Sequence, residues 1–163
     1  MKWDRGRSVL AALLLVGVTL SPAIGHAFGL EGAGGKLGYV TPEHGNGAPA
    51  VGGHLEFAEH GTRWHIVPGF LYWNEDRMNG LNTNLDFYYH FGRDKQASPY
   101  LGSGVGLSRI APDSDPNESR TDLAANVFGG ARFPGRYNNF YIEGRQTLTD
   151  TPQTSLLAGV TFH

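Results

Sequence analysis

Apolar and polar residues alternate in eight short segments along this chain, and the clearest runs Asn84-Leu85-Asp86-Phe87-Tyr88-Tyr89-His90-Phe91. Leu85, Phe87, Tyr89 and Phe91 share one face, and Asn84, Asp86, Tyr88 and His90 share the other. Successive side chains of a strand point to opposite faces, so each segment is greasy on one side and polar on the other. The alternation predicts strands over Gly34–Thr41, Pro49–Ala58, Thr62–Trp73, Thr83–Phe91, Pro99–Ile110, Ser119–Phe133, Asn139–Leu148 and Ser155–Phe162. Turn-forming residues separate them, among them Glu59-His60-Gly61, Asn79-Gly80 and Pro134-Gly135-Arg136. No stretch after residue 27 has a helical period.

The faces keep their character from strand to strand. Val51, Leu55 and Phe57 oppose His54 and Glu56; Trp64, Ile66, Phe70 and Tyr72 oppose Arg63, His65, Val67 and Leu71. Leu123, Ala125, Val127 and Ala131 oppose Asp122, Asn126, Phe128 and Arg132; Phe140 and Ile142 oppose Glu143 and Arg145. A soluble lipocalin-like barrel would bury the apolar face and wet the polar one. A membrane barrel reverses this. The strands match the roughly 9–11 residues needed to cross a bilayer at a tilt. Aromatics gather towards strand ends (Tyr39, Phe57, Trp64, Tyr72, Trp73, Phe91, Tyr100, Phe133, Tyr137 and Phe162), as in the girdles at the two water–lipid boundaries. These features predict an all-β, eight-stranded antiparallel up-and-down transmembrane barrel.

The first 27 residues have a different pattern. Lys2, Arg5 and Arg7 precede an apolar run from Val9 to Leu20, then Ser21-Pro22 and the small residues of Gly25-His26-Ala27. That is the layout of a secretory signal peptide cut after Ala27. The run falls short of the roughly 20 apolar residues of a spanning helix. The expected organisation is a signal peptide over residues 1–27 and one barrel domain over 28–163.

Composition adds limits. The chain of 163 residues has 13 Lys+Arg against 15 Asp+Glu. Three bases and one acid fall in the leader, leaving the mature part at 10 against 14, a net charge of −4. No basic patch invites nucleic acid. The absence of cysteine rules out disulfides and thiolate metal sites. The 24 glycines include Gly102, Gly104, Gly106, Gly129 and Gly130 inside strands, where they weaken a soluble sheet but make room for large side chains in a narrow barrel.

The polar face projects Glu56, Asp86, Asp122, Arg132, Glu143 and Arg145 inward, together with His54, His65 and His90. Such a set suits either a proton relay or catalytic site, or a structural plug of ion pairs. An eight-stranded barrel is just wide enough for its side chains to fill it, and buried charges must pair, so the plug is expected. Glu143 with Arg132 or Arg145 is the expected pair. No catalytic, cofactor-binding or metal-ligating set stands out. His44 and Ser114 fall in connections without a common orientation, the histidine spacing lacks a paired-ligand pattern, and Gly102–Gly106 lacks the lysine and helix of a phosphate loop. With both termini periplasmic, the third and fifth connections (Asn74–Asn82 and Ala111–Glu118) read as long external loops. The acidic residues Glu75, Asp76, Asp113, Asp115, Glu118 and Asp150 then face outward, against Arg77.

Several segments are similar to the small OmpA/OmpX-like outer-membrane barrel families: Pro99-Tyr100-Leu101-Gly102-Ser103-Gly104-Val105-Gly106-Leu107, Asn126-Val127-Phe128-Gly129-Gly130-Ala131-Arg132-Phe133, Tyr141-Ile142-Glu143-Gly144-Arg145, and the ending Ala158-Gly159-Val160-Thr161-Phe162. The likeness spans almost the whole mature chain as a pattern of strands. It implies a Gram-negative outer-membrane location, a monomer, and contact with outer-membrane lipid and lipopolysaccharide. It also implies recognition by the barrel-assembly machinery, for which Phe162 resembles the family's terminal aromatic, here followed by His163. The expected role is structural or surface-interacting, for adhesion or envelope integrity, with an unidentified extracellular ligand. A lipid A-modifying enzyme, a narrow porin-like pore and a soluble periplasmic carrier are the alternatives.

Overall fold

The computed structural model describes residues 29–43, 46–59, 61–75, 78–92, 97–112 and 119–163. The leader expected over residues 1–27 and its cut after Ala27 lie outside these residues. So do His44, Asp76, Arg77, Asp113, Ser114, Asp115 and Glu118.

Eight strands follow one another: β1 (Gly29–Pro42), β2 (Ala48–Ala58), β3 (Trp64–Glu75), β4 (Met78–His90), β5 (Ser98–Pro112), β6 (Arg120–Pro134), β7 (Asn138–Leu148) and β8 (Gln153–Phe162). Each pairs antiparallel with the next, and β8 returns to β1 to close the barrel. Closure removes every exposed edge, so each strand finds its hydrogen bonds within the sheet. The ladder between β2 and β3 lapses opposite Pro68, which has no N–H to donate. A bulge between Leu30 and Gly32 shifts the first residues of β1 and brings Glu31 to the barrel mouth. β1 begins and β8 finishes at the same end, where Ala33 pairs with Phe162. His163 ties that end down: Nδ1 lies 2.9 Å from the carbonyl oxygen of Glu31.

The wall is inside out relative to a soluble domain. Leu37, Val51, Leu85, Phe87, Val105, Val127, Ile142 and Leu156 all face outward and are exposed. Soluble monomers rarely expose apolar patches larger than a few hundred Å², and here the apolar belt is continuous around the barrel. The alternation followed by sequence is the alternation seen, and it is the pattern of a transmembrane barrel.

Three expectations are corrected. First, Asn74–Asn82 is not a loop. β3 and β4 stay paired out to Glu75 and Met78, with only residues 76 and 77 between them. The polar run and Asn79-Gly80 suggested a turn, but the register places the turn earlier. Connection length therefore no longer orients the barrel. Second, Trp73 and Tyr100 are not girdle residues; both point into the lumen and are buried. Trp73 keeps the phase of Val67 and Leu71, which a position near a strand end does not change. Third, Gly129 faces outward while Gly102, Gly104, Gly106 and Gly130 face inward. A Cβ on Gly102 would meet the Phe128 ring, and one on Gly130 the Tyr100 ring, so these glycines do make room for large lumen side chains.

Candidate functional site: the lumen

Along each strand the charged residues fall nearer the terminus end. On β4 the inward series is His90, Tyr88, Asp86, then Asn84 and Asn82; on β2 it is Glu56, His54, then Ala50 and Ala48. β6 runs from Arg132 to Asn126 and Ala124, and β1 from Lys36 to Val40. Two zones result: a charged half towards the termini and, towards the other end, a half whose inward side chains are uncharged apart from Asp122 near the rim.

The charged half contains two ion clusters. In the first, nearest the mouth, the Arg132 guanidinium donates to Glu56 Oε2, and the Tyr88 hydroxyl donates to Glu56 Oε1 at 2.6 Å. His65 Nδ1 lies 2.8 Å from the same Oε1 and 3.9 Å from Glu31. The His65 ring stacks on Tyr88 with centroids 4.7 Å apart. In the second, Arg145 binds Asp86 at 2.7 Å and Glu143 at 2.9 Å, while the Tyr100 hydroxyl donates to Glu143 at 3.0 Å. The Arg145 guanidinium also lies over the Phe128 ring, 4.4 Å from its centroid, which suits a planar cation. Lys36, Arg132 and Arg145 balance Glu56, Asp86 and Glu143. Buried charges in a narrow lumen persist only when paired and hydrogen-bonded, and this neutral set meets that condition for most of its members.

Of the residues expected in the lumen, Glu56, Asp86, Arg132, Glu143, Arg145, His54, His65 and His90 are buried there. Asp122 sits apart, near the far rim, where it accepts from Arg120 Nε at 2.8 Å. Arg120 also reaches Asp150, so this acidic residue is held at the rim. Glu75, expected in an external loop, ends β3 and accepts from the Asn46 backbone N–H at 2.7 Å. Lys36 and Tyr100 were missed. Lys36 sits between Gly35 and Leu37 in a glycine-rich segment with little apolar alternation, but its parity with Gly34 and Val40 puts it inside.

The uncharged half is closed by amides and apolar groups. Asn82 donates to Gln153 at 2.9 Å, and Thr147 donates to Asn126 at 2.8 Å. Beside them Val40, Ala48, Ala50, Leu71, Trp73 and Leu157 form one packed cluster, flanked by Met78 and Ile110. The Trp73 ring lies where a Cβ on Gly80 would be.

Two groupings invite a chemical reading. Ser98 Oγ is 3.2 Å from His90 Nδ1, and His90 Nε2 is 3.3 Å from Arg132 Nη1. Arg132 can only donate, so Nε2 accepts and the imidazole proton is on Nδ1, directed at the serine. A general base needs the opposite polarity, so the pair does not activate Ser98. Glu31, Glu56 and His65 bring potential ligand atoms within 4.8 Å of one another. Glu56 already accepts from Arg132 and Tyr88, and that guanidinium opposes a second cation.

No family model matches the chain, and no curated protein matches it by sequence. Solved structures do. Neisserial surface protein A has a TM-score of 0.66 at 13% identity, over 80% of this chain and 94% of that one. The N-terminal β-barrel domain of Pseudomonas aeruginosa OprF has a TM-score of 0.65 at 16% identity, over 82% and 98%. The outer membrane enzyme PagL has a TM-score of 0.50 at 12% identity, over 81% and 99%. At these identities the likeness is one of fold, and the fold is that of the small OmpA/OmpX-like eight-stranded outer-membrane barrels.

Proposed function

We propose that this chain is an outer-membrane barrel with a structural or surface-interaction role and no catalytic chemistry of its own. The observation that carries the reading is the filled lumen. The cavity left between the ion clusters is about 30 Å³, which is room for water and not for a lipid or sugar substrate. A scaffold of this kind holds its position by its apolar belt and leaves recognition to the connections at the end away from the termini. On this reading residues 1–27 direct export and are removed, Phe162 engages the assembly machinery, and lipopolysaccharide surrounds the outer half of the wall.

Cell fractionation, detergent-dependent folding and a heat-modifiable shift on gels test the location. The expected result is an outer-membrane fraction whose band moves on boiling. Recovery of a stable monomer from buffer without detergent would overturn it. An enzyme acting on outer-membrane lipid is the second reading, because PagL is an enzyme on a comparable scaffold. Mass spectra of lipid A from cells with and without the protein decide that point, and identical spectra are expected.

A further inference from the structure

The outward wall of β5 to β8 and β1 carries a groove of about 590 Å³. Its floor is bare backbone. Gly129 and Gly144 are cross-strand partners, both face outward, and a Cβ on Gly144 would meet nothing within 4 Å. The row they belong to runs Tyr39, Leu156, Gly144, Gly129, Leu101 across neighbouring strands. Tyr39 lies near the far end of β1 and Leu101 near the terminus end of β5, so the groove descends the wall from the far rim.

The row above it is polar. Thr41 pairs with Thr154, and Thr154 with Gln146, all three on the outward face just inside the rim where β7 ends at Leu148 and β8 opens at Gln153. The Thr154 hydroxyl donates to Gln146 Oε1 at 2.7 Å. The N–H donors of Gln146 Nε2 and the Thr41 hydroxyl have no hydrogen-bond partner among the described residues. Hydrocarbon supplies no partner for such groups, and an amide left dry in it is unfavourable. A chain that is polar at the rim and apolar further down meets both rows at once.

We propose that this groove binds one acyl chain of lipid A, with the polar linkage of that chain on Thr41, Thr154 and Gln146 and its hydrocarbon over Gly144 and Gly129. The proposal rests on the outer-membrane reading above and deepens it, naming the lipid and its place on the wall. Glycerophospholipids attach their chains through esters, which accept hydrogen bonds and donate none. Lipid A carries 3-hydroxyacyl chains, some of them amide-linked, so N–H, O–H and C=O groups stand together at the top of the chain. Gln146 offers donors, and the hydroxyl oxygens of Thr41 and Thr154 offer acceptors; only the second kind of lipid uses both. The glycines let the chain lie against the backbone, and Leu101, Val127 and Leu156 border it.

Native mass spectrometry of the full mature barrel, refolded in detergent micelles, tests this once the heat-modifiable gel shift has been checked. A wild type without that shift sinks the membrane reading and the proposal with it, whereas a shifted barrel that binds no lipid A overturns the proposal alone. With purified lipid A a one-to-one adduct is expected, and with phosphatidylethanolamine an adduct about tenfold weaker. Gln146→Leu with Thr154→Val should weaken the lipid A adduct about tenfold, through the lost hydrogen bonds, and leave the phosphatidylethanolamine adduct unchanged. Gly144→Leu puts a side chain into the open groove and should weaken both adducts. Val105→Leu, exposed on β5 outside the groove, should bind as wild type does. Equal adducts with the two lipids overturn the proposal, as does a lipid A adduct untouched by the Gln146 and Thr154 changes or by Gly144→Leu. A lipid-free wild-type dimer that Gly144→Leu abolishes also overturns it and assigns the groove to a second copy of the chain. Should Gly144→Leu fail the gel criterion, the Gln146 and Thr154 variant decides.

Discussion

Among the described residues, Arg145 is the one cation bound directly to both buried carboxylates of the inner cluster, Asp86 at 2.7 Å and Glu143 at 2.9 Å. Breaking a buried pair by removing one partner costs about 3–5 kcal/mol, because the other charge is left without compensation. Arg145→Met should therefore lower stability by about that amount in urea unfolding from vesicles. Adding Asp86→Asn and Glu143→Gln should restore part of the loss, since neutral amides tolerate burial better than carboxylates. A triple variant no more stable than the single one would mean that Arg145 acts by packing on Phe128 alone. Tyr88→Phe is a milder change. It removes one hydrogen bond to a charged group, and about 1.5–3 kcal/mol is expected by the same measurement. Which residues point inward was legible in the sequence, because a charge on the lipid side of a strand is costly. Which of them pair was not. Glu56 and Arg132 are 76 residues apart, Asp86 and Arg145 are 59 apart, and only closure of the barrel brings them together.

The β3–β4 hairpin shows what the period of a strand conveys and what turn chemistry conceals. Asn74 to Asn82 is rich in polar residues and contains Asn79-Gly80, so local signals favour a loop there. The cross-strand pairs Trp73↔Gly80 and Glu75↔Met78 carry the ladder through it instead. Gly80 belongs to this hairpin for its missing side chain: a Cβ there would run into the Trp73 ring, which is fully buried in the cluster with Val40, Leu71 and Leu157. Gly80→Ala should cost about 1–3 kcal/mol through overpacking and should shift the tryptophan emission. Gly144→Ala on β7 is the contrast. Its Cβ would point outward and meet nothing within 4 Å, so a change within about 0.5 kcal/mol is expected from urea unfolding of the refolded barrel. Equal losses at both positions would show that the lumen is loosely packed around Trp73. The same phase argument covers Trp73 and Tyr100. Aromatic character near a strand end suggested a girdle, whereas counting by twos from Val67 and from Phe128's partner Gly102 places them inside.

For the molecule as a whole, strand number, antiparallel order and the inverted placement of polarity were all legible, because each follows from a period of two repeated eight times. The direction of the barrel was not, since the connections at its two ends do not differ in length as expected. What the apolar wall faces can be tested at a single position. Leu37 lies on β1 between its cross-strand partners Val51 and Ala158, well away from either rim, and is 65% exposed. If the wall meets lipid there, Leu37→Arg carries a charge into the bilayer and should cost about 2–4 kcal/mol. Leu123→Arg, close to the far end of β6, should cost about 0–1 kcal/mol, because the penalty fades towards the interface. In a barrel surrounded by water both substitutions would be surface changes worth about 0.5 kcal/mol or less. Urea titration of both variants in the same vesicles separates the cases. A depth-dependent difference identifies the medium as lipid, and two equally harmless arginines would identify it as water despite the exposed apolar belt.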